Sequence, residues 1–379
     1  MISSKLPNTG TSIFAVMSKL ANDHNAINLS QGFPDFDISQ ELKDLVNKYI
    51  QGNYNQYPPM PGVMPLREQI ALKVQKAYGH SYNPDSEITV TAGATQAIYT
   101  AVTAFVKEDD EVIVFEPAYD SYVPAIRLSG ARPVFLKLNY PDYSINWEEV
   151  SRSINSRTRM IIINTPHNPS GAVLSEEDML KLQKITSGSK IIIVSDEVYE
   201  HILFDGQIHQ SVSRFPELAD RSIVVSSFGK IFQTTGWKVG YACAPKKLMA
   251  EFRKVHQMIV FAVNHPVQMA FSEFLQKEDE FLKWNQFYQQ KRDLFVQEMT
   301  NSRFKLLPCH GTYFQLADFS HISDEKDVDF ANRLTIEHKI ATIPVSVFYH
   351  EMTDNKVVRI CIAKKDETLA EAAAILKKL

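Results

Sequence analysis

The sequence predicts an α/β fold: a large domain with a mostly parallel sheet covered by helices, joined to a smaller α+β domain. Three observations predict it. From about residue 88, short β-rich runs alternate with helix-length segments. Several of those runs, such as Met160 to Ile163 and Ile191 to Val194, are apolar at every position rather than at alternate ones. In the last third, strand-like and helix-like segments fall in separate runs. A strand apolar throughout is buried on both faces, and helical connections between such strands imply a parallel sheet sandwiched by helices. A chain of 379 residues is long enough for two such units.

The elements follow in order. ITVTAG (88–93) reads as a strand running into a turn, and the segment from Ala94 to Lys107 as a helix. That helix carries Ala97, Ile98, Ala101, Val102 and Phe105 on one face. Strands are expected at EVIVF (111–115), PVFLKL (133–138) and RMIII (159–163). Ser175, with Asp178 three residues on, predicts a capping box for a helix reaching about Ser187. KIIIVSD (190–196), SIVVSS (222–227) and GYACA (240–244) complete the series. A long helical region over about 266–300 then leads to RFKLL, TYFQLADF and VVRICIA, with helices around 325–339 and 366–379. This divides the chain into a large domain at 46–285 and a small domain made of 1–45, with an N-terminal arm, plus 286–379.

Composition excludes several classes. Hydrophobic residues at 44% and charged residues at 22% are ordinary for a globular chain, not a disordered or fibrous one. Forty Lys+Arg against forty-four Asp+Glu leave a net charge of −4, so nothing electrostatic points to nucleic acid or an anionic membrane as partner. No apolar run reaches the roughly 18 residues of a membrane-spanning helix. The start, MISSKLPNTGTSIF, lacks the basic and apolar segments of a secretion signal. Cys243, Cys309 and Cys361 are far apart and form no Cys-x-x-Cys pair, so each is expected to be a buried small hydrophobe in a reducing, cytoplasmic setting. The eleven histidines show no ligand spacing, and no metal is assigned.

In open α/β sheets ligands bind beyond the carboxyl ends of the strands, so the residues following each strand matter most. SSFGK (226–230) delivers a lone lysine, Lys230, at a strand end. Such an amine, buried near other cations, can act as a Schiff-base nucleophile, although a lysine in a turn is often only a surface residue. Ser227-x-x-Lys230 also matches the nucleophile signature of penicillin-binding proteins, but the accompanying Ser-Asp-Asn and Lys-Thr-Gly are absent. SDEVYEH (195–201) places Asp196 and Tyr199 after another strand. Asp196 there is either a turn residue or an anion able to keep a heteroaromatic nitrogen protonated. NTPHNPSG (164–171) is a rigid turn in which the Asn168 amide can donate to a ligand oxygen. AGATQA (92–97) opens a helix whose N–H groups and dipole favour a phosphate, though it is no nucleotide fingerprint.

Together these motifs resemble the fold-type I pyridoxal-phosphate aminotransferases of class I/II, the group of methionine, kynurenine and glutamine aminotransferases. The resemblance runs from SQGFPDF near the start, through YDSY, NTPHNPSG, SDEVYEH and SSFGKIFQTTGWKVGY, to GTYF, IPVSVF and VVRICIAKK. It implies pyridoxal 5'-phosphate as cofactor and Lys230 as its Schiff-base lysine and the general base. Asp196 is then the partner of the ring nitrogen, Tyr199 and Asn168 of the phenolic oxygen, and Tyr119 the residue stacked on the ring. The phosphate falls to Gly93, Ala94 and Thr95, with Ser227 and Lys238. Lys238 stands where many relatives have arginine, giving a point charge instead of a planar fork. Tyr57 matches a tyrosine that reaches the phosphate across a homodimer interface. Arg359 and Gly32 match the grip on the substrate α-carboxylate, which Asn168 also touches.

The resemblance further implies ping-pong transfer of an amino group from an amino acid to a 2-oxo acid. No arginine occurs in FAVNHP (261–266), where aspartate-specific relatives supply one from the partner subunit, and Arg253 upstream reads as a helix-surface residue. With Phe14, Phe33, Tyr119 and Phe348 as expected lining, methionine, aromatic residues, leucine or glutamine are favoured over dicarboxylates. Two rivals remain. A cysteine-conjugate β-lyase or an aminocyclopropane-type synthase on the same scaffold would share the lysine, aspartate and tyrosine. A cofactor-binding sensor domain of a transcription regulator would need a basic segment ahead of SQGFPDF, for which there is little room.

Overall fold

The computed structural model describes residues 3–7, 9–277 and 279–379. Seven strands form the large sheet, in the spatial order Ile88–Thr91, Gly240–Cys243, Ser222–Ser227, Ile192–Asp196, Thr158–Asn164, Glu111–Glu116, Arg132–Lys137. Gly240–Cys243 is antiparallel to both neighbours and the remaining pairs are parallel. The all-apolar runs are the reason. Every residue of Glu111–Glu116 and Ile192–Asp196 is buried, so both faces need helical cover. Gly93–Phe105 supplies part of it through Ala97, Ile98, Ala101, Val102 and Phe105, all buried. Glu176–Thr186 begins with the expected capping box between Ser175 and Asp178.

A second, antiparallel sheet orders Ile343–Pro344, Val357–Cys361, Phe314–Asp318 and Lys305–Leu306. Helices Asp327–Glu337 and Asp366–Leu376 follow in the α+β manner. The N-terminal region joins this part, because Ile27–Asn28 pairs in parallel with Ile340–Ala341.

The structure corrects some expectations. The helical region over 266–300 is two helices, His265–Phe274 and Asp279–Glu298, parted by Leu275 to Glu278, of which Glu278 lies outside the described residues. Arg253 is half-buried and anchored rather than a free surface residue: its Nε donates to Thr89 Oγ1 at 3.0 Å and its Nη2 to Ile88 O at 2.8 Å, tying Lys246–Ile259 to the edge strand. Three N-terminal helices, Ile13–Asp23, Gln40–Gln51 and Met64–Tyr78, precede the alternating region. The three cysteines are buried and free, as expected.

Candidate active site

A cavity of about 260 Å³ opens where five strands of the large sheet end. Each strand sends residues to it: Gly93, Ala94 and Thr95 after Ile88–Thr91; Tyr119 after Glu111–Glu116; Asn164 and Asn168 from Thr158–Asn164 and its turn; Asp196 and Tyr199 from Ile192–Asp196; Ser227 and Lys230 from Ser222–Ser227. The small sheet adds Phe314 and Arg359, the N-terminal region Phe14 and Gly32, and the turn before Gly240 adds Lys238. Of the residues expected at the site, Tyr57, Phe33 and Phe348 are not in this lining. Tyr57 is 83% exposed and packs edge-on against Phe261 at 5.5 Å. Phe33 is half-exposed beneath the Lys364 ammonium, 5.0 Å from its ring centre. Phe348 is buried behind Arg359.

Lys230 is presented by a single helical turn, Phe228–Ile231, whose start is capped by Ser227 Oγ accepting from the Gly229 N–H at 3.1 Å. Its amine donates to Gly32 O at 3.2 Å, a carbonyl that also accepts from the Tyr313 hydroxyl at 2.5 Å. Burial lowers the Lys230 ammonium to about 8, and the nearby Arg359 and Lys238 cations act in the same direction. Loss of the charge brings the amine within reach of its neutral, nucleophilic form near neutral pH.

That burial has a stability cost with a definite sign. Between about pH 8 and the free-lysine value of 10.5 the unfolded chain binds more protons than the folded one, so stability rises with pH across this window. Below pH 8 the cost is fully present. Lys230→Met is therefore expected to stabilise the cofactor-free protein at pH 7 by roughly 3 kcal/mol, the gain shrinking to nothing as pH rises past 10.5. Urea unfolding at several pH values measures it.

Asp196 ends its strand buried. Its Oδ2 accepts from the Tyr122 hydroxyl at 2.5 Å and its Oδ1 from the Val198 N–H at 3.3 Å. Burial raises its carboxyl to about 6 against those two bonds. On the other side of the same turn Glu200 accepts from Lys73 Nζ and Ser226 Oγ, both at 2.5 Å, from the Tyr241 hydroxyl at 3.1 Å and from the Tyr78 hydroxyl. Burial opposes the charge, but Lys73 overrides it and holds Glu200 well below the usual carboxylate range. Ser226 is in the strand that delivers Lys230, so this buried pair fixes the Asp196 turn against the Lys230 turn.

Arg359 is 1% exposed, with Nη1 donating to Asn168 Oδ1 at 2.7 Å and Nη2 to Ser30 O at 3.0 Å. Its Nε is buried with no hydrogen-bond partner among the described residues. Its guanidinium lies 3.8 Å from the Phe314 ring centre and 5.2 Å from that of Phe14. Opposite, Gly93 opens its helix at φ +78°, and a Cβ there would meet Lys238 Nζ at 3.4 Å. Gly240 is required by a close approach, since a Cβ would stand 2.6 Å from Ser226 O and 3.1 Å from the Ala94 N–H nitrogen. Thr95 Oγ1 and the Tyr119 hydroxyl are 3.4 Å apart.

The site thus holds a helix N-terminus with a lysine beside it, a buried carboxylate, a nucleophilic amine and a guanidinium with spare donors. These match, in order, a phosphate, a basic ring nitrogen, an aldehyde and a carboxylate. Residues 24–376 match the family model for aminotransferase class I and II. The chain belongs to that family: it is an aminotransferase of the pyridoxal-phosphate-dependent, fold-type I kind.

Its relatives narrow the comparison. The chain is 49% identical over 377 residues to the methionine aminotransferase of Escherichia coli K12, covering 99% of this chain and 98% of that one. A crystal structure of an Escherichia coli protein with methionine aminotransferase function matches with a TM-score of 0.98 over 100% of both chains, again at 49% identity. The kynurenine–oxoglutarate transaminase of Dictyostelium discoideum is 33% identical, with 98% of this chain and 94% of that one covered.

Sequence reasoning missed Tyr122, Tyr313, Ser30 and the Lys73–Glu200 pair. Tyr122 had a signal: it lies three residues after Tyr119 in YDSY. Ser30 acts through its carbonyl, which no side-chain pattern records.

Proposed function

We propose that the protein transfers the amino group of methionine and other neutral amino acids to a 2-oxo acid. The observation that carries this reading is the aromatic surround of Arg359. The guanidinium that receives the α-carboxylate is bordered on the cavity side by Phe14 and Phe314, with Phe348 buried behind it, an apolar setting for the substrate side chain.

In this reading the bound cofactor supplies an aldehyde that takes up the amino group and a ring that accepts electrons from the substrate α-carbon. The chain's residues do the rest. Gly93, Ala94, Thr95, Ser227 and Lys238 hold the phosphate, with Tyr57 arriving from the second subunit of a homodimer. Asp196 keeps the ring nitrogen protonated, Tyr199 and Asn168 hold the phenolic oxygen, and Tyr119 covers the ring face. Arg359 and Gly32 orient the substrate carboxylate. Lys230 anchors the cofactor, then removes the α-proton and returns a proton as a general base and acid. The division at 46–285 against 1–45 plus 286–379 is proposed on the two sheets and on the pairing of Ile27–Asn28 with Ile340–Ala341. A cytoplasmic location is proposed on three free, buried thiols.

The test is a panel of amino acids scored by bleaching of the cofactor absorbance. Methionine, leucine, phenylalanine and glutamine are expected to respond and aspartate not to; a response to aspartate alone overturns the substrate assignment. Arg359→Lys is expected to raise KM for methionine by about tenfold or more with a smaller change in kcat, because a point charge replaces a fork. Steady-state kinetics with methionine varied against a fixed oxo acid checks it.

A further inference from the structure

We propose that Tyr122 is a positioning residue for the reaction: its hydroxyl orients the Asp196 carboxylate and sets how firmly that carboxylate holds a proton. The inference rests on the assignment of Asp196 to the cofactor ring nitrogen and deepens it.

The geometry is specific. Tyr122 and Asp196 are 3% and 4% exposed, and the Tyr122 hydroxyl meets Asp196 Oδ2 at 2.5 Å. Oδ1 has only the long contact from the Val198 N–H, at 3.3 Å, among the described residues. Tyr122 therefore occupies one carboxylate oxygen and leaves the other to accept from a ligand. The tyrosine is placed by a strand two positions away in the sheet, beyond Thr158–Asn164. Glu111–Glu116 runs into the turn bearing Tyr119, and Tyr122 opens the next helix, its N–H bonded to Tyr119 O at 3.2 Å. Tyr119 stands edge-on to it at 5.7 Å. One turn thus presents a ring to the cavity and a hydroxyl to the carboxylate behind it.

The ionisable groups around Asp196 are Tyr119 and Tyr122 from that turn, Lys230 from the Phe228–Ile231 helix, and Glu197 and Tyr199 on its own turn. Burial and Glu197 favour the protonated acid, while Tyr122 and Lys230 favour the anion. The Lys230 charge varies with the protonation of its nitrogen. The Tyr122 hydrogen bond does not, so it is the constant contribution that keeps Asp196 anionic through the catalytic cycle.

The test reads the carboxyl group itself. Infrared difference spectra of the full-length, cofactor-free protein follow the protonated-carboxyl stretch of Asp196 against pH, with Asp196→Asn identifying the band. Tyr122→Phe is expected to raise the midpoint by about one pH unit, a tenfold weaker acid. Incorporating 3-fluorotyrosine at position 122, a stronger donor of the same shape, is expected to lower it. An unmoved midpoint in both proteins overturns the proposal. If Tyr122→Phe fails to fold, the fluorotyrosine shift decides alone. Cofactor affinity of Asp196→Asn separately tests the role of Asp196, so failure of that assignment is distinguishable from failure of the Tyr122 coupling.

Discussion

Lys230→Ala is expected to lower turnover by about 10⁴-fold or more while leaving the fold intact. In the proposed assignment the substitution removes two functions at once: the amine that anchors the cofactor and the base that moves the α-proton. No neighbour can take over, because the other cations lining the cavity, Arg359 and Lys238, are held elsewhere. Arg359 is bound by Asn168 and Ser30, and Lys238 lies against Gly93 on the phosphate side. Single-turnover measurements with methionine check the loss, and circular dichroism checks the fold. Partial recovery on adding a small free amine such as methylamine is expected. A variant that keeps more than a few per cent of turnover without added amine contradicts the assignment of Lys230.

Asp196→Ala is the second large effect. It is expected to reduce turnover by about 10²- to 10⁴-fold, with methionine affinity changed far less. Asp196 is a buried carboxyl group at the strand end, and under the proposed assignment its deletion takes away the negative charge that keeps the ring nitrogen cationic. Binding of the amino acid is assigned in the same proposal to Arg359 and Gly32, which the substitution leaves in place, and is expected to be preserved. Separate measurement of the substrate dissociation constant and the proton-transfer rate in one half-reaction distinguishes the two. Full turnover in Asp196→Ala removes Asp196 from the chemistry.

Much of this arrangement was legible in the sequence because strand periodicity and the residues at strand ends are local properties. The run KIIIVSD announces both a buried strand and a carboxylate at its exit, and SSFGK announces a small-residue turn carrying an amine. The helix break after Phe274 was not legible, since no proline or glycine occurs in LQKED to mark it. Arg253 was misread because its surroundings on Lys246–Ile259 are polar, and only the fold brings it to the carbonyls of Asp85 and Ile88. Lys73 and Glu200 are 127 residues apart in the chain, so their pairing is a property of topology alone.

The contrast between the buried Lys73–Glu200 pair and the Phe14 wall has an evolutionary consequence. Replacing either member of the pair strands the other charge in the interior, so drift there is heavily penalised. Phe14 sits on an early helix, only partly buried, and can be exchanged without disturbing the machinery beneath it. New donor preferences in descendants of this sequence should arise by retailoring that rim while the foundation stays frozen.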